Sequence, residues 1–251
     1  MKVVPLVACL LLVLIAGGML LSDVCSATVN EGVPARPGES CRTKPLPCWS
    51  EPEKWVWKQV CEGKIADFNQ RYKKELDPRT PDGWSKYREI SPSFLETILL
   101  HEPYRGALPH QGVRIVGACV RSYVEMSNAI IRHMWSLERS RIEADVYLGW
   151  LTSTSPVSFI NSVFTGGVYL PSSKIGGGVN MYGAKCTGKL NMNSIEVTGH
   201  LLMHNGAEFS EVDLSNAKIG GQLVMSGAKC TGKLNMIGLT VTGSLLMHPK
   251  G

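Results

Sequence analysis

The amino-acid sequence predicts a mostly-β fold: a four-sided parallel β-solenoid with 22 residues per coil, preceded by a small α-helical cap. Two observations lead to this prediction. The ten residues GAKCTGKLNM occur twice, at 183–192 and 227–236. From residue 111 onward, apolar side chains recur in steps of eleven residues. Self-similarity at a fixed period is the signature of a repeat architecture.

Two columns of the eleven-residue step contain no polar residue. Their members lie two residues apart, so both side chains of a short strand face the same side, the core. The first column contains Val113, Val124, Trp135, Val146, Val157, Val168, Val179, Leu190, Leu201, Val212, Leu223, Leu234 and Leu245. The second contains Ile115, Met126, Leu137, Leu148, Phe159, Leu170, Met181, Met192, Met203, Leu214, Met225, Met236 and Met247.

A third column is mostly small, and a fourth is again apolar, which gives core spacings of 2, 3, 2 and 4. Steps of three and four predict corners, and glycine recurs at the longer one, where positive φ angles are expected. Every second member of the third column is Ala or Ser, so two steps, 22 residues, form one coil. Between Met203 and Val212 the register slips by one residue, which predicts a bulge. The corner glycines are Gly166, Gly177, Gly188, Gly199, Gly221, Gly232 and Gly243.

A small residue followed two places later by a larger apolar one, at five-residue spacing, resembles the pentapeptide-repeat β-helix. This resemblance implies a right-handed parallel β-helix. The segments KIADFN, SPSFLETILL and GVRIVGA, together with the repeats, resemble uncharacterised exported or membrane-associated bacterial proteins, some of which are labelled oxidoreductase. The resemblance covers about residues 51–248 and carries the fold more than an activity.

The chain divides into four predicted segments. Residues 1–27 are a signal peptide, or an anchor through the apolar stretch 3–21 if they are retained. Residues 28–50, rich in Pro, Gly, Ser and Thr, are predicted to be a linker. Residues 51–110 form the helical cap, and 111–251 the solenoid, which is predicted to be truncated. The chain stops part-way through a repeat, so we expect it to continue or its last coil to fray or associate end to end.

Within the cap, SEPE at 50–53 predicts a helix from residue 51 to about Leu76, which Gly63 could divide. A second helix should begin at SPSFLE and end before Pro103. The aromatic residues at helical spacing are more typical of a core than of a ligand site. They are Trp55, Trp57, Phe68, Tyr72 and Trp84.

Cysteine usage fits an exported chain, whose compartment favours disulfides. Cys9 and Cys25 fall in the signal, and Cys41, Cys48 and Cys61 lie within 21 residues of one another. Because three is odd, one of these stays free or pairs elsewhere, and Cys119 is the nearest candidate. The pairing is left open.

One group of glycines and one group of carboxylates are the candidates for a cofactor site and a catalytic pair. Gly176, Gly177 and Gly178 lack the G-x-G-x-x-G spacing of a dinucleotide site and are interpreted as corners. Glu208, Glu211 and Asp213 form a carboxylate group at the register slip, more typical of a solvated bulge than of a catalytic pair.

Histidines, cysteines and basic residues are the remaining candidates for a metal site, a reactive thiol or a binding surface. His204 and His248 should lie two coils apart, too far to share a metal ion. Cys186 and Cys230, in an inward column, are predicted to be free thiols. A basic stretch could contact a glycan or lipid, although a solvated face is favoured; it contains Arg132, His133, Arg139 and Arg141. The lysines of the copied segment, which are expected to face outward toward a partner, are Lys185, Lys189, Lys229 and Lys233. No catalytic, cofactor-binding or metal-ligating residue and no cofactor is assigned.

The sequence therefore predicts an exported structural or binding β-solenoid of the bacterial cell envelope, periplasmic or extracellular. The alternative is an envelope enzyme acting on a glycan or a redox partner. A stack of three or more Asp, Glu, Arg or His residues on one outer wall would favour the enzyme, and a flat wall of mixed residues would favour display. The expected partner is an envelope protein or a glycan. The net charge of +5 is dispersed, which argues against nucleic acid.

Overall fold

A computed structural model describes Cys41 and residues 43–248. They form a parallel β-solenoid of about six turns with about 22 residues per turn, so the predicted fold class is confirmed. Pairing joins each strand to the strand one coil later: Val157 pairs with Val179, and Val179 with Leu201. The predicted signal or anchor, residues 1–27, lies outside the described residues.

Four walls surround the core. The first is a sheet made of β1 (Ala66–Asp67), β2 (Val113–Val116), β6 (Trp135–Glu138), β10 (Val157–Ser158), β14 (Val179–Asn180), β17 (Leu201–Leu202), β20 (Leu223–Val224) and β24 (Leu245–Leu246). The fourth is made of β5 (Ile130–Ile131), β9 (Thr152–Ser153), β13 (Lys174–Ile175), β16 (Glu196–Val197), β19 (Lys218–Ile219) and β23 (Thr240–Val241).

The second and third walls share one ten-stranded sheet, because two long strands run around the corner between them. These long strands are β15 (Lys185–Asn191) and β18 (Glu208–Asp213). The remaining strands of the second wall are β3 (Cys119–Val120), β7 (Arg141–Ile142), β11 (Val163–Phe164) and β21 (Lys229–Cys230). Those of the third are β4 (Val124–Glu125), β8 (Val146–Tyr147), β12 (Val168–Tyr169) and β22 (Leu234–Asn235).

The cap contains α1 (Glu51–Cys61), α2 (Phe68–Tyr72), a 3₁₀ turn (Lys86–Arg88), α3 (Pro92–Leu100) and α4 (Tyr104–Ala107). The predicted capping box is present: the Ser50 amide donates to Glu53 Oε2 at 2.7 Å, and Ser50 Oγ accepts from the Glu53 amide. Ser91 caps α3, and Pro92 occupies its first turn as predicted. Glu53 also accepts from the Ser91 amide at 2.8 Å, so one carboxylate links the starts of both helices.

The first helix does not run to Leu76. It ends at Cys61, because Gly63 adopts a φ of +74°. The chain then enters β1, where Ala66 pairs with Ile115 of β2. The cap therefore adds a strand to the first wall and covers the edge that the solenoid would otherwise expose.

The described part of the predicted linker packs on the cap. Trp49 is buried and lies 4.9 Å, centroid to centroid, from Phe94. The Trp57 indole donates to the Thr43 carbonyl at 2.7 Å. A disulfide joins Cys41 to Cys61. The ordered cap thus begins before residue 51, because Trp49 contributes buried apolar surface. The polar residues around Trp49 give no periodic pattern from which this burial could be predicted.

Cys119, the suggested partner for the third cysteine, is instead a buried free thiol packed with Leu76 and Trp84. Cys48 is not free.

The predicted inward columns form the core. Every member of the first two columns from Val113 to Met225 is buried. In the bulged coil, Ala207 and Phe209 take the third and fourth roles and are buried, as predicted. Leu245 and Met247 are 46% and 44% exposed, and the expected end-to-end association stays a prediction.

The corners differ from the prediction. Positive φ angles do not occur at the recurring corner glycines but at the residue just before each third-column position. This set is Gly117, Asn128, Arg139, Trp150, Asn161, Ser172, Gly183, Ser194, Gly206, Asn216, Gly227 and Gly238, and in the bulged coil Asn205 has a positive φ as well. Most of these residues are not glycine, so the backbone of the corner and not the residue type imposes this conformation.

The recurring corner glycines are needed for space. A Cβ atom at any of the seven would lie 2.4 to 2.8 Å from the coil beneath. At Gly188 the obstacle is the backbone of Gly166, which is itself a corner glycine.

We therefore expect Gly188→Ala to destabilise the solenoid by at least about 2 kcal/mol, because backbone cannot move aside as a side chain can. Gly149→Ala is the matched control: its Cβ would meet Pro171 at 3.4 Å, an ordinary contact. Denaturant unfolding of both variants tests this expectation, and equal losses of stability would contradict it.

Candidate functional site

The carboxylate group at the register slip is engaged in ion pairs. Glu208 contacts Arg79 at 2.7 Å and Lys185 at 3.1 Å, and Glu211 contacts Lys189 at 3.1 Å. These contacts join successive coils, and the Arg79 contact also joins the solenoid to the cap. Lys185 and Lys189 face outward as predicted, but carboxylates of the next coil already bind them.

Arg79 belongs to a loop that lies along the corner between the first two walls. Its guanidinium also donates to the carbonyls of Gly183 and Gly206, at 3.4 and 3.3 Å. Gly206 belongs to the bulge, so the slipped register presents a carbonyl that the loop uses. We call residues 74–84 the strap.

The other candidate residues from the sequence, the three glycines and the two histidines, do not come together in one site. Gly176, Gly177 and Gly178 form a corner, where added Cβ atoms would lie 2.7 to 2.9 Å from neighbouring coils. His204 packs edge-on against Tyr182, and His248 contacts Ser226 at 3.3 Å. Within the part of the chain that the structure describes, no three His, Cys, Asp or Glu side chains are grouped to hold a metal ion.

Cys186 and Cys230 are free thiols separated by Phe209, which pairs with both. Cys186 is buried as predicted, whereas Cys230 is only partly buried. Burial raises the pKa of the Cys186 thiol to about 12 and that of Cys119 to about 11.

The basic stretch is also divided. Arg139 contacts Glu75 of the strap at 2.6 Å. Arg141 donates to Glu143 at 2.8 Å and to the Pro78 carbonyl at 2.9 Å. These residues hold the strap against the solenoid and do not form one exposed basic surface.

An open groove of about 780 Å³ lies at the corner between the second and third walls, close to the cap. We call it the corner groove. Its lining combines small residues of successive coils with aromatic and charged side chains. It is lined by Arg121, Ser122, Tyr123, Glu143, Ala144, Asp145, Tyr147 and Gly166.

The geometry of the groove follows from the stacking of the coils. Glu125 pairs with Tyr147, which pairs with Tyr169 one coil later. The two tyrosine rings stack with centroids 5.0 Å apart and planes 10° apart. Tyr169 lies across Gly167, where a Cβ would be 2.5 Å from its hydroxyl oxygen.

Asp145 is fixed from two sides. Its Oδ2 accepts the Tyr147 hydroxyl at 2.9 Å, and its Oδ1 accepts the Gly167 amide at 2.7 Å. The hydrogen bond to Asp145 raises the pKa of Tyr147. Tyr123, in contrast, is 65% exposed. The groove therefore offers one free aromatic ring beside one rigidly oriented carboxylate.

The arginine of the groove is neutralised. Arg121 donates to Glu143, to Glu89 at 3.2 Å and to the Trp84 carbonyl. Glu143 also accepts from Arg141. Asp145, however, has no ion-pair partner among residues 43–248, and neither has Glu125, which lies outside the lining but pairs in register with Tyr147 of the groove. The uncompensated charge of the groove is negative.

Sequence reasoning did not find this groove, although a signal was present. The 22-residue register predicts contacts between outward positions as well as between inward ones. Applied to outward positions, it places Tyr123 beside Asp145 and Glu125 beside Tyr147.

No protein-family model, no curated protein and no solved structure matches this chain. The resemblance to pentapeptide repeats therefore stays a prediction beyond the β-solenoid itself. Within the described residues, no helix is long and apolar enough to span a bilayer.

The Glu208 ion pairs predict a pH dependence of stability. Hydrogen bonds from Arg79, then Lys185, hold the Glu208 pKa below its ordinary value of 4.5. A depressed carboxyl pKa stabilises the fold above pH 4.5, and this contribution disappears as the pH falls through the folded-state value.

We expect Glu208→Gln to lower the melting temperature at pH 7, and the difference from wild type to vanish in acid. Glu196→Gln, which removes a single and more exposed contact with Lys218, should have less effect. Thermal melts across pH test this, and a difference that does not change with pH would contradict it.

Proposed function

We propose that this chain is an exported, rigid β-solenoid of the bacterial cell envelope that binds a glycan at the corner groove. The observation that carries the proposal is the exposed Tyr123 ring next to the fixed Asp145 carboxylate. Aromatic rings supply contact area at low entropic cost, and polar groups beside them orient a ligand. The stacked coils provide the rigid support that such a site needs.

The outer walls favour display over catalysis. Their charged columns alternate in sign, as in Lys174, Glu196 and Lys218, which lie in register on the fourth wall. This is the mixed wall expected of a scaffold. The fourth wall therefore lacks the stack of acidic, arginine or histidine groups that would favour an enzyme. Arg121, Arg141 and Glu143 do group near the corner groove, but they pair with one another.

The partners of the groove carboxylates also favour binding over glycan hydrolysis. A glycoside hydrolase uses one carboxyl group to donate a proton to the leaving sugar. Glu143 is instead held between two arginines, and Asp145 accepts from a hydroxyl and an amide. Two of the three free thiols in the described residues are also poorly suited to redox chemistry, since a thiolate is the reactive form and burial raises the pKa of Cys119 and Cys186.

Sedimentation of the purified protein with protein-free cell-wall polysaccharide tests the glycan proposal. Tyr123→Ala should weaken binding about two- to tenfold, because one aromatic contact contributes about 0.5–1.5 kcal/mol. Ile130→Ala is the matched control, since Ile130 is 55% exposed in the same coil but lies on the fourth wall. The proposal fails if wild type does not bind or if both variants lose binding equally.

Export is tested separately. Expressed in a bacterium, the chain should leave the cytoplasm, and intact mass should place its first residue near 28 if the signal is removed. Leu12→Arg, which places a charge in the apolar stretch, should retain the protein in the cytoplasm. Equal export of the variant would contradict the proposed signal.

A further inference from the structure

We infer that the corner groove selects a saccharide with free ammonium groups, an amino sugar that is not N-acetylated. The inference rests on the glycan-binding function proposed above and names the class of glycan. It starts from four outward side chains in two successive coils. Tyr123 and Glu125 belong to one coil, and Asp145 and Tyr147 to the next, so aromatic and acidic groups alternate.

The charge of the groove selects the charge of the ligand. Arg121 donates to Glu89, Glu143 and the Trp84 carbonyl, so two carboxylates already compensate its charge and its attraction for an anionic ligand is weakened. Asp145 and Glu125 are left without a cationic partner in the described region. A carboxylate or phosphate on the ligand would be repelled, whereas an ammonium group would be attracted.

The tyrosine rings also favour a ligand that carries a positive charge and contains a sugar ring. The face of an aromatic ring attracts a cation, and the attraction is stronger where water is excluded. Tyr123 is 65% exposed, so its ring is available. A pyranose presents an apolar C–H face to such a ring while its substituents reach neighbouring polar groups.

The shape of the groove favours a sugar over a lysine side chain. The groove is open, and its lining includes the small residues Ala144 and Gly166. Tyr169 of the next coil stacks on Tyr147 and extends the aromatic surface. A ring that lies across the groove contacts this surface. A linear side chain would need an enclosing slot.

Calorimetric titration of the full chain with two matched oligosaccharides tests the inference. A glucosamine hexamer should bind at least about tenfold more tightly than the N-acetylglucosamine hexamer, which has the same backbone but no charge. The preference should weaken as salt is added. Asp145→Asn should remove most of the preference, because asparagine keeps an acceptor oxygen but not the charge.

Glu196→Gln, a carboxylate substitution on the fourth wall, is the control and should leave both affinities unchanged. Equal affinity for the two hexamers would overturn the selection for ammonium. Equal binding of a lysine hexamer would overturn the assignment to a saccharide. If cell-wall polysaccharide sediments wild type but not Tyr123→Ala, while neither hexamer binds, this inference fails and the proposed function stands.

Discussion

Each coil of the solenoid lies on the previous one residue by residue, and the rest of the structure depends on this in-register stacking. Outside the bulged coil, inward residues pair with the equivalent residue 22 positions away, as Val157 does with Val179. An apolar column can therefore repeat without limit, since like stacks on like. The same rule sets the corner glycines, because a Cβ on one coil would occupy the backbone of the next.

Charged columns cannot obey the same repetition, because like charges one coil apart repel. This accounts for the interval between the two GAKCTGKLNM segments. Copies 22 residues apart would place lysine on lysine, whereas 44 residues leave an acidic coil between them. Glu208 pairs in register with Lys185 on one side and Lys229 on the other. Sequence duplication alone explains the identity of the copies, but the electrostatics of stacking explains their spacing.

Much of the fold could be predicted because inward positions repeat, and less of the site because outward positions do not. The core columns and both helix starts were readable from periodicity and capping residues. Gly63 marked a possible end of α1, but the pairing of Ala66 with Ile115 that follows is a long-range contact, which the local sequence does not show. The corner residues with positive φ were missed because Trp150 and Arg139 do not signal it. The corner groove combines residues from three coils, among them an arginine neutralised by carboxylates, and no local pattern shows this.

The corner groove obeys the stacking rule in a different way from the lysine columns. Where lysine and glutamate alternate, charge is neutralised within the column and little remains for a ligand. At the groove, Asp145 lies one coil after Tyr123, and Tyr147 lies one coil after Glu125. Asp145 and Glu125 therefore belong to different columns and are not stacked directly on each other. Neither carboxylate has a cationic partner among the described residues, so both negative charges stay uncompensated. A cationic ligand would be attracted by these carboxylates. We therefore expect this corner to bind such a ligand more tightly than the neutralised walls do.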